Sequence, residues 1–164
     1  MAVYTLVLTG LQTGGTANSF TTIAGIKLGG AAGSRARLRS LEVSGGGGAA
    51  QDVQVTLKGF RHTSNGSNDG TPGSSPNVNT VGKNNPNSVA SNVSSIGINY
   101  SAEPQALDTG PCCGGGLNSR GTFIKEYDIV TAPEWNKDQI LCLQASPGSA
   151  TQVNLTATFV IEEF

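Results

Sequence analysis

Charge is scarce in this sequence, and so is most of what a catalytic or nucleic-acid-binding chain relies on. Lys, Arg, Asp and Glu make up 13% of the 164 residues and the formal net charge is -1. That field is too weak to draw in nucleic acid or an anionic membrane surface. There is one histidine, which cannot supply the several imidazoles that metal-dependent β-barrel enzymes converge on one ion. The three cysteines include no CxxC pair, so neither a regular disulfide framework nor a zinc site is expected. No run approaches the roughly 18 apolar residues that span a bilayer. Aromatics are 5% of the chain, few for the exposed ring platforms of glycan sites. Helix formers never settle into a 3.6-residue period.

What the chain does have is alternation and turn chemistry. Along 152–164, Val153, Leu155, Ala157, Phe159 and Ile161 project one way, and Gln152, Asn154, Thr156 and Thr158 the other, the period-two pattern of a half-buried strand. The 23 glycines, with abundant Ser, Thr and Asn, separate further extended runs over 3–9, 19–28, 35–45, 52–60, 95–99 and 122–130. The run 139–145 is apolar on both sides and is expected at the centre of a sheet. Within RARLRSLEVSG the buried parity switches between Leu38 and Leu41, which predicts a β-bulge near Arg39 and Ser40. The fold class is therefore all-β: one domain over 1–164, an antiparallel β-sandwich or jelly roll of about eight strands. Its large aliphatics are modest in number, so association is expected to contribute to stability. Residues 1–28 form an N-terminal extended segment. The Asn, Ser, Gly and Pro-rich stretch 62–93 is too long for a simple connection and reads as a polar arm or a disordered loop.

Few residues suggest chemistry. His62, at the mouth of that polar stretch, is expected on a surface loop. Cys142 reads as a small buried hydrophobe. Cys112 and Cys113, in PCCGGG, read as loop thiols without function, with a vicinal disulfide or a soft-metal site as alternatives. The Gly runs lack the GxxxxGK[ST] pattern of a phosphate cradle, and no nucleophile sits in a recognisable elbow. Arg35, Arg37 and Arg39 occupy alternate positions of one strand, where they pair either with carboxylates of a partner or with local Glu. Trp135, in the turn APEWNKD, either anchors a subunit contact or caps the end of the sandwich. The start, MAVYTLVLTG, suits a first strand better than a signal peptide, so the chain is expected to stay in the compartment where it is made.

The segments SRARLRSLEVSGGGGAAQDVQVTLKGF, INYSAEP, LNSRGTFIKEYDIV and QILCLQASPGSATQVNLTATFVIEEF, in that order, resemble small jelly-roll virion proteins of tailed bacteriophages that act as capsid decoration or cement proteins. The likeness covers about two thirds of the chain. It rests on strand pattern, the Asn118 and Arg120 step and the Glu-rich ending. The long polar insertion and the PCCGGG loop depart from the pattern. The resemblance implies a non-enzymatic structural protein with no cofactor and no metal. Such a protein is commonly a homotrimer that binds major capsid protein subunits on the outer capsid surface after synthesis in the host cytoplasm. The alternative is a trimeric receptor- or carbohydrate-binding head of the tail-fibre or tumour-necrosis-factor-like kind.

Overall fold

The computed structural model describes residues 1–46, 52–63, 68–77, 81–84, 90–105 and 110–164. Among them are eleven strands and no helix: β1 (Ala2–Gln12), β2 (Thr21–Leu28), β3 (Arg35–Gly45), β4 (Gln54–Thr63), β5 (Gly82–Lys83), β6 (Val93–Ile98), β7 (Cys113–Asn118), β8 (Thr122–Glu126), β9 (Glu134–Asn136), β10 (Gln139–Pro147) and β11 (Asn154–Glu163). They form two antiparallel sheets packed face to face. The first has the order β5-β1-β11-β3-β8, with β9 beside the start of β3, and the second the order β6-β2-β10-β4-β7. Eight of these strands, β1-β11-β3-β8 over β2-β10-β4-β7, follow jelly-roll connectivity. The remaining short strands, β5, β6 and β9, extend it and account for the difference from the expected eight.

The alternation of β11 places Leu155, Ala157, Phe159 and Ile161 in the core, each at most 1% exposed. This strand lies between β1 and β3, and β10 lies between β2 and β4, so both sheet centres come from one stretch, 139–163. The expected bulge is present. Ser40 pairs with Val160 and Leu38 with Ile161, which leaves Arg39 as the extra residue. Leu38 and Leu41 thereby both point inward, three positions apart.

The two sheets differ in what lies outside them. Two pieces of chain, 68–74 and 98–105, are bridged to each other at Thr71 and Ala102 and at Ser74 and Ile98, and they cover the outer face of the β2-β10-β4 sheet. Tyr100 brings its hydroxyl end over Gly25 and Gly97 on this face. A Cβ at Gly97 would stand 2.6 Å from its hydroxyl, so glycine is what permits the approach. Beneath this strap, Ile140, Cys142, Gln144 and Ser146 are buried on the side of β10 that faces away from the core. The strap thus explains why 139–147 is closed on both sides.

The polar stretch 62–93 therefore belongs in part to the fold. Asp69, Thr71 and Ser74 are strap residues, β5 pairs with β1, and Glu163 accepts hydrogen bonds from Asn92 N at 2.9 Å and Ser91 Oγ. The described parts of the stretch lie against their own sheets. Residues 64–67, 78–80 and 85–89 fall outside the described set.

Candidate functional site

The three arginines of β3 divide their roles. Register places Glu162 of β11 on one side of Arg37 and Glu134 of β9 on the other, and Arg37 Nε lies 3.4 Å and 3.7 Å from their carboxylates. Arg39, re-aimed by the bulge, holds Glu162 Oε2 from its other side at 3.0 Å. Arg37 and Glu162 are both buried, 8% and 5% exposed. A buried carboxylate without its guanidinium partners would carry a heavy desolvation cost, and that requirement explains the local pairing. The guanidinium of Arg37 also stacks on the Phe164 ring, 4.2 Å from its centroid. Arg35 is exposed and approaches the same ring at 5.3 Å.

Trp135 is not at the surface. Pairing of β9 with β3 sets it opposite Ala36, and it is 0% exposed, so no part of the ring is left for a subunit to touch. The small Ala36 side chain beside it leaves room for the indole. His62 corrects the surface-loop expectation in the same way. It belongs to β4, opposite Ile140, and is 0% exposed under the strap. Its Nε2 lies 3.3 Å from Asp69 Oδ1, whose other oxygen takes Lys27 Nζ at 3.0 Å. Nearby, the Glu103 carboxylate accepts the backbone N–H of Thr22 at 2.8 Å and its hydroxyl, and lies 3.4 Å from Gln144 Nε2. Sequence reasoning missed this set because its partners come from positions far apart in the chain.

Cys142 is buried as expected. Burial, then the negative charges of Glu103 and Asp69, push its thiol up to about 12, and burial raises the Tyr100 hydroxyl as well. An inert thiol follows. So does an alkaline liability. From about pH 9, where the unfolded thiol ionises, to about pH 12 the unfolded chain sheds a proton that the folded chain retains, and stability falls as pH rises. Melting temperature followed from pH 8 upward should decline across that window. Cys142→Ala should make the decline shallower, and an unchanged slope in that variant would remove Cys142 from the account.

Among the described residues the broadest exposed sheet face lies on the other sheet. The outer face of β1-β11-β3-β8 carries Thr5, Val7, Thr156, Thr158, Val160, Ser40, Glu42, Ile124 and Glu126. Among these Val7 and Ile124 are 51% and 63% exposed. At one end of this face the turn after β8 presents Ile129 and Val130, both exposed. Asp128 Oδ1 fixes the turn by accepting Val130 N and Thr131 N at 2.8 Å each. Arg37 Nη1 lies 3.5 Å from Ile129 O, so the apolar tip, Phe164 and Arg35 share one corner. Among the described residues no group of three or more His, Cys, Asp or Glu side chains is placed to hold a metal ion. No protein-family model matches the chain, and no curated protein matches it significantly.

Proposed function

We propose that this chain is a non-enzymatic structural protein of a virion, a decoration or cement protein of a tailed-phage capsid. As a homotrimer it binds the capsid exterior and ties neighbouring major capsid protein subunits together. It is made in the host cytoplasm and ends on the capsid surface. The observation that carries this reading is the asymmetry of the sandwich. One sheet is covered along β2 and β10 by the chain's own strap, while the other offers a broad face rich in hydroxyl and β-branched side chains, with an apolar corner at Ile129, Val130 and Phe164. Arg37 and Arg39 on this face are already paired with Glu162, so that end can bury modest area without stranding ions, and many copies on one shell multiply a modest affinity. The only histidine, His62, is sealed from solvent under the strap, which favours a binding role over an imidazole-based catalytic one.

Co-sedimentation tests the reading. The purified chain is mixed with procapsids and with expanded shells of a tailed-phage major capsid protein. Saturable binding to expanded shells and a trimer by light scattering are expected. A monomer that pellets with neither particle would overturn the proposal, and strong hits on a glycan array without capsid binding would favour the receptor- or carbohydrate-binding head. Arg35→Glu is the surface probe. Its stacking on Phe164 is worth only about 0.5–1 kcal/mol, so the variant should melt almost as the parent does while losing capsid affinity.

A further inference from the structure

Cys113 opens β7, and Cys112 is the residue before it. Neighbouring residues of an extended strand point to opposite faces, so adjacent cysteines in regular β-structure keep their sulfurs apart. Here they converge. The chain bends at Cys112, whose N–H and Sγ both donate to Gly59 O, at 2.8 Å and 3.3 Å, and Cys113 pairs with the same Gly59 in the β4-β7 ladder. Both sulfurs gather over the bare Cα of that glycine: a Cβ there would collide with Cys113 Sγ and lie 3.7 Å from Cys112 Sγ. The two thiols are free and half-buried, within reach of a small reagent.

A second observation points to the same place. Tyr127 is 9% exposed, and among the described residues its buried hydroxyl has no partner within ordinary hydrogen-bond geometry. The group it faces is Cys113. A buried hydroxyl without an acceptor is costly, and a thiolate at Cys113 supplies one.

We propose that Cys112 and Cys113 are a redox-active dithiol that low-molecular-weight disulfides oxidise to a vicinal disulfide, with Tyr127 as the positioning residue for the Cys113 sulfur. Cys113 is the attacking thiol, because the Cys112 thiol donates its proton to Gly59 O while among the described residues no backbone carbonyl takes that of Cys113. The neighbouring Cys112 thiol, and after it the Tyr127 hydroxyl, hold it below its ordinary range against the opposing effect of burial. Cys112, whose thiol is pushed up by the bond to Cys113 and by burial, is the resolving thiol. The Cys113 thiolate attacks one sulfur of the small disulfide. Its S–S bond breaks, one small thiolate leaves, and a mixed disulfide forms on Cys113. Cys112 gives up its proton and attacks the Cys113 sulfur, the Sγ–Sγ bond forms, and the second small thiolate leaves. The two cysteine protons end on the two small thiols. The cysteines lose two electrons and the small disulfide gains them. The ring closes at the head of an edge strand whose next three residues, Gly114 to Gly116, have no side chains to pin it.

The test incubates the reduced, native full-length protein with oxidised glutathione, quenches with acid and reads intact mass and peptide maps. Wild type should lose two hydrogens, both within the peptide holding Cys112 and Cys113. Cys112→Ser should stop at one glutathione on Cys113. Tyr127→Phe should reach the wild-type end point about tenfold more slowly at neutral pH, with its pH-rate profile displaced upward by about one unit. Unmodified thiols or a persistent glutathione adduct on wild type would overturn the dithiol. An adduct on Cys113→Ser but none on Cys112→Ser would overturn the assignment of roles. An unmoved pH-rate profile in Tyr127→Phe would overturn the role of Tyr127.

Discussion

Removal of residues 153–164 is expected to leave no folded protein. The deletion takes out β11, the strand between β1 and β3, and with it the fully buried side chains of Leu155, Phe159 and Ile161. Burial of such side chains is worth roughly 1.5–3 kcal/mol each, or about 5–9 kcal/mol for the three. A whole domain is stable by about 5–15 kcal/mol, and the loss of two strand ladders comes on top. The remaining β1 and β3 would expose unpaired edges and invite aggregation. Circular dichroism and size exclusion of the truncated chain check this. A soluble, cooperatively melting product would refute the central role of the strand.

Trp135→Ala is expected to cost about 3–5 kcal/mol, the usual range for emptying a fully buried large aromatic site. The side chain lies where β9 meets β3, and no solvent reaches it. Trp135→Phe separates volume from polarity. Among the described residues the indole N–H has no hydrogen-bond partner, so its removal relieves an unsatisfied donor while most of the ring volume stays. Urea unfolding should give Phe a loss of less than about 1.5 kcal/mol. Equal losses for Ala and Phe would mean that the indole N–H is satisfied in solution.

The parts of the fold that were legible in the sequence are those governed by local period. Alternation along 152–164 marks β11 and its inward face, and the parity switch between Leu38 and Leu41 marks a bulge near Arg39 and Ser40, which the β3-β11 register assigns to Arg39. The double-sided apolar run at 139–145 marked a central strand. What period does not encode is what lands on the outside of a sheet. His62 looked like a loop residue because its sequence neighbours are polar, yet the strap from 68–74 and 98–105 closes over it. Trp135 sits in a turn by sequence and in the core by packing, because a three-residue strand folds it back against Ala36. The convergence of Cys112 and Cys113 on Gly59 depends on a glycine more than fifty positions away, and only the β4-β7 register brings them together.

That both sheet centres lie within 139–163 carries a consequence for biosynthesis. β1, β3 and β8 have no continuous sheet until β11 arrives, and β2, β4 and β7 have none until β10 arrives. At roughly 5–20 residues per second, the ribosome completes β11 about 8–30 seconds after β1. Through that interval the nascent chain holds apolar strands without their central partners. Folding of this sandwich is therefore a late event, and the cell must keep the emerging chain from its neighbours on the same polysome until the last two strands are released.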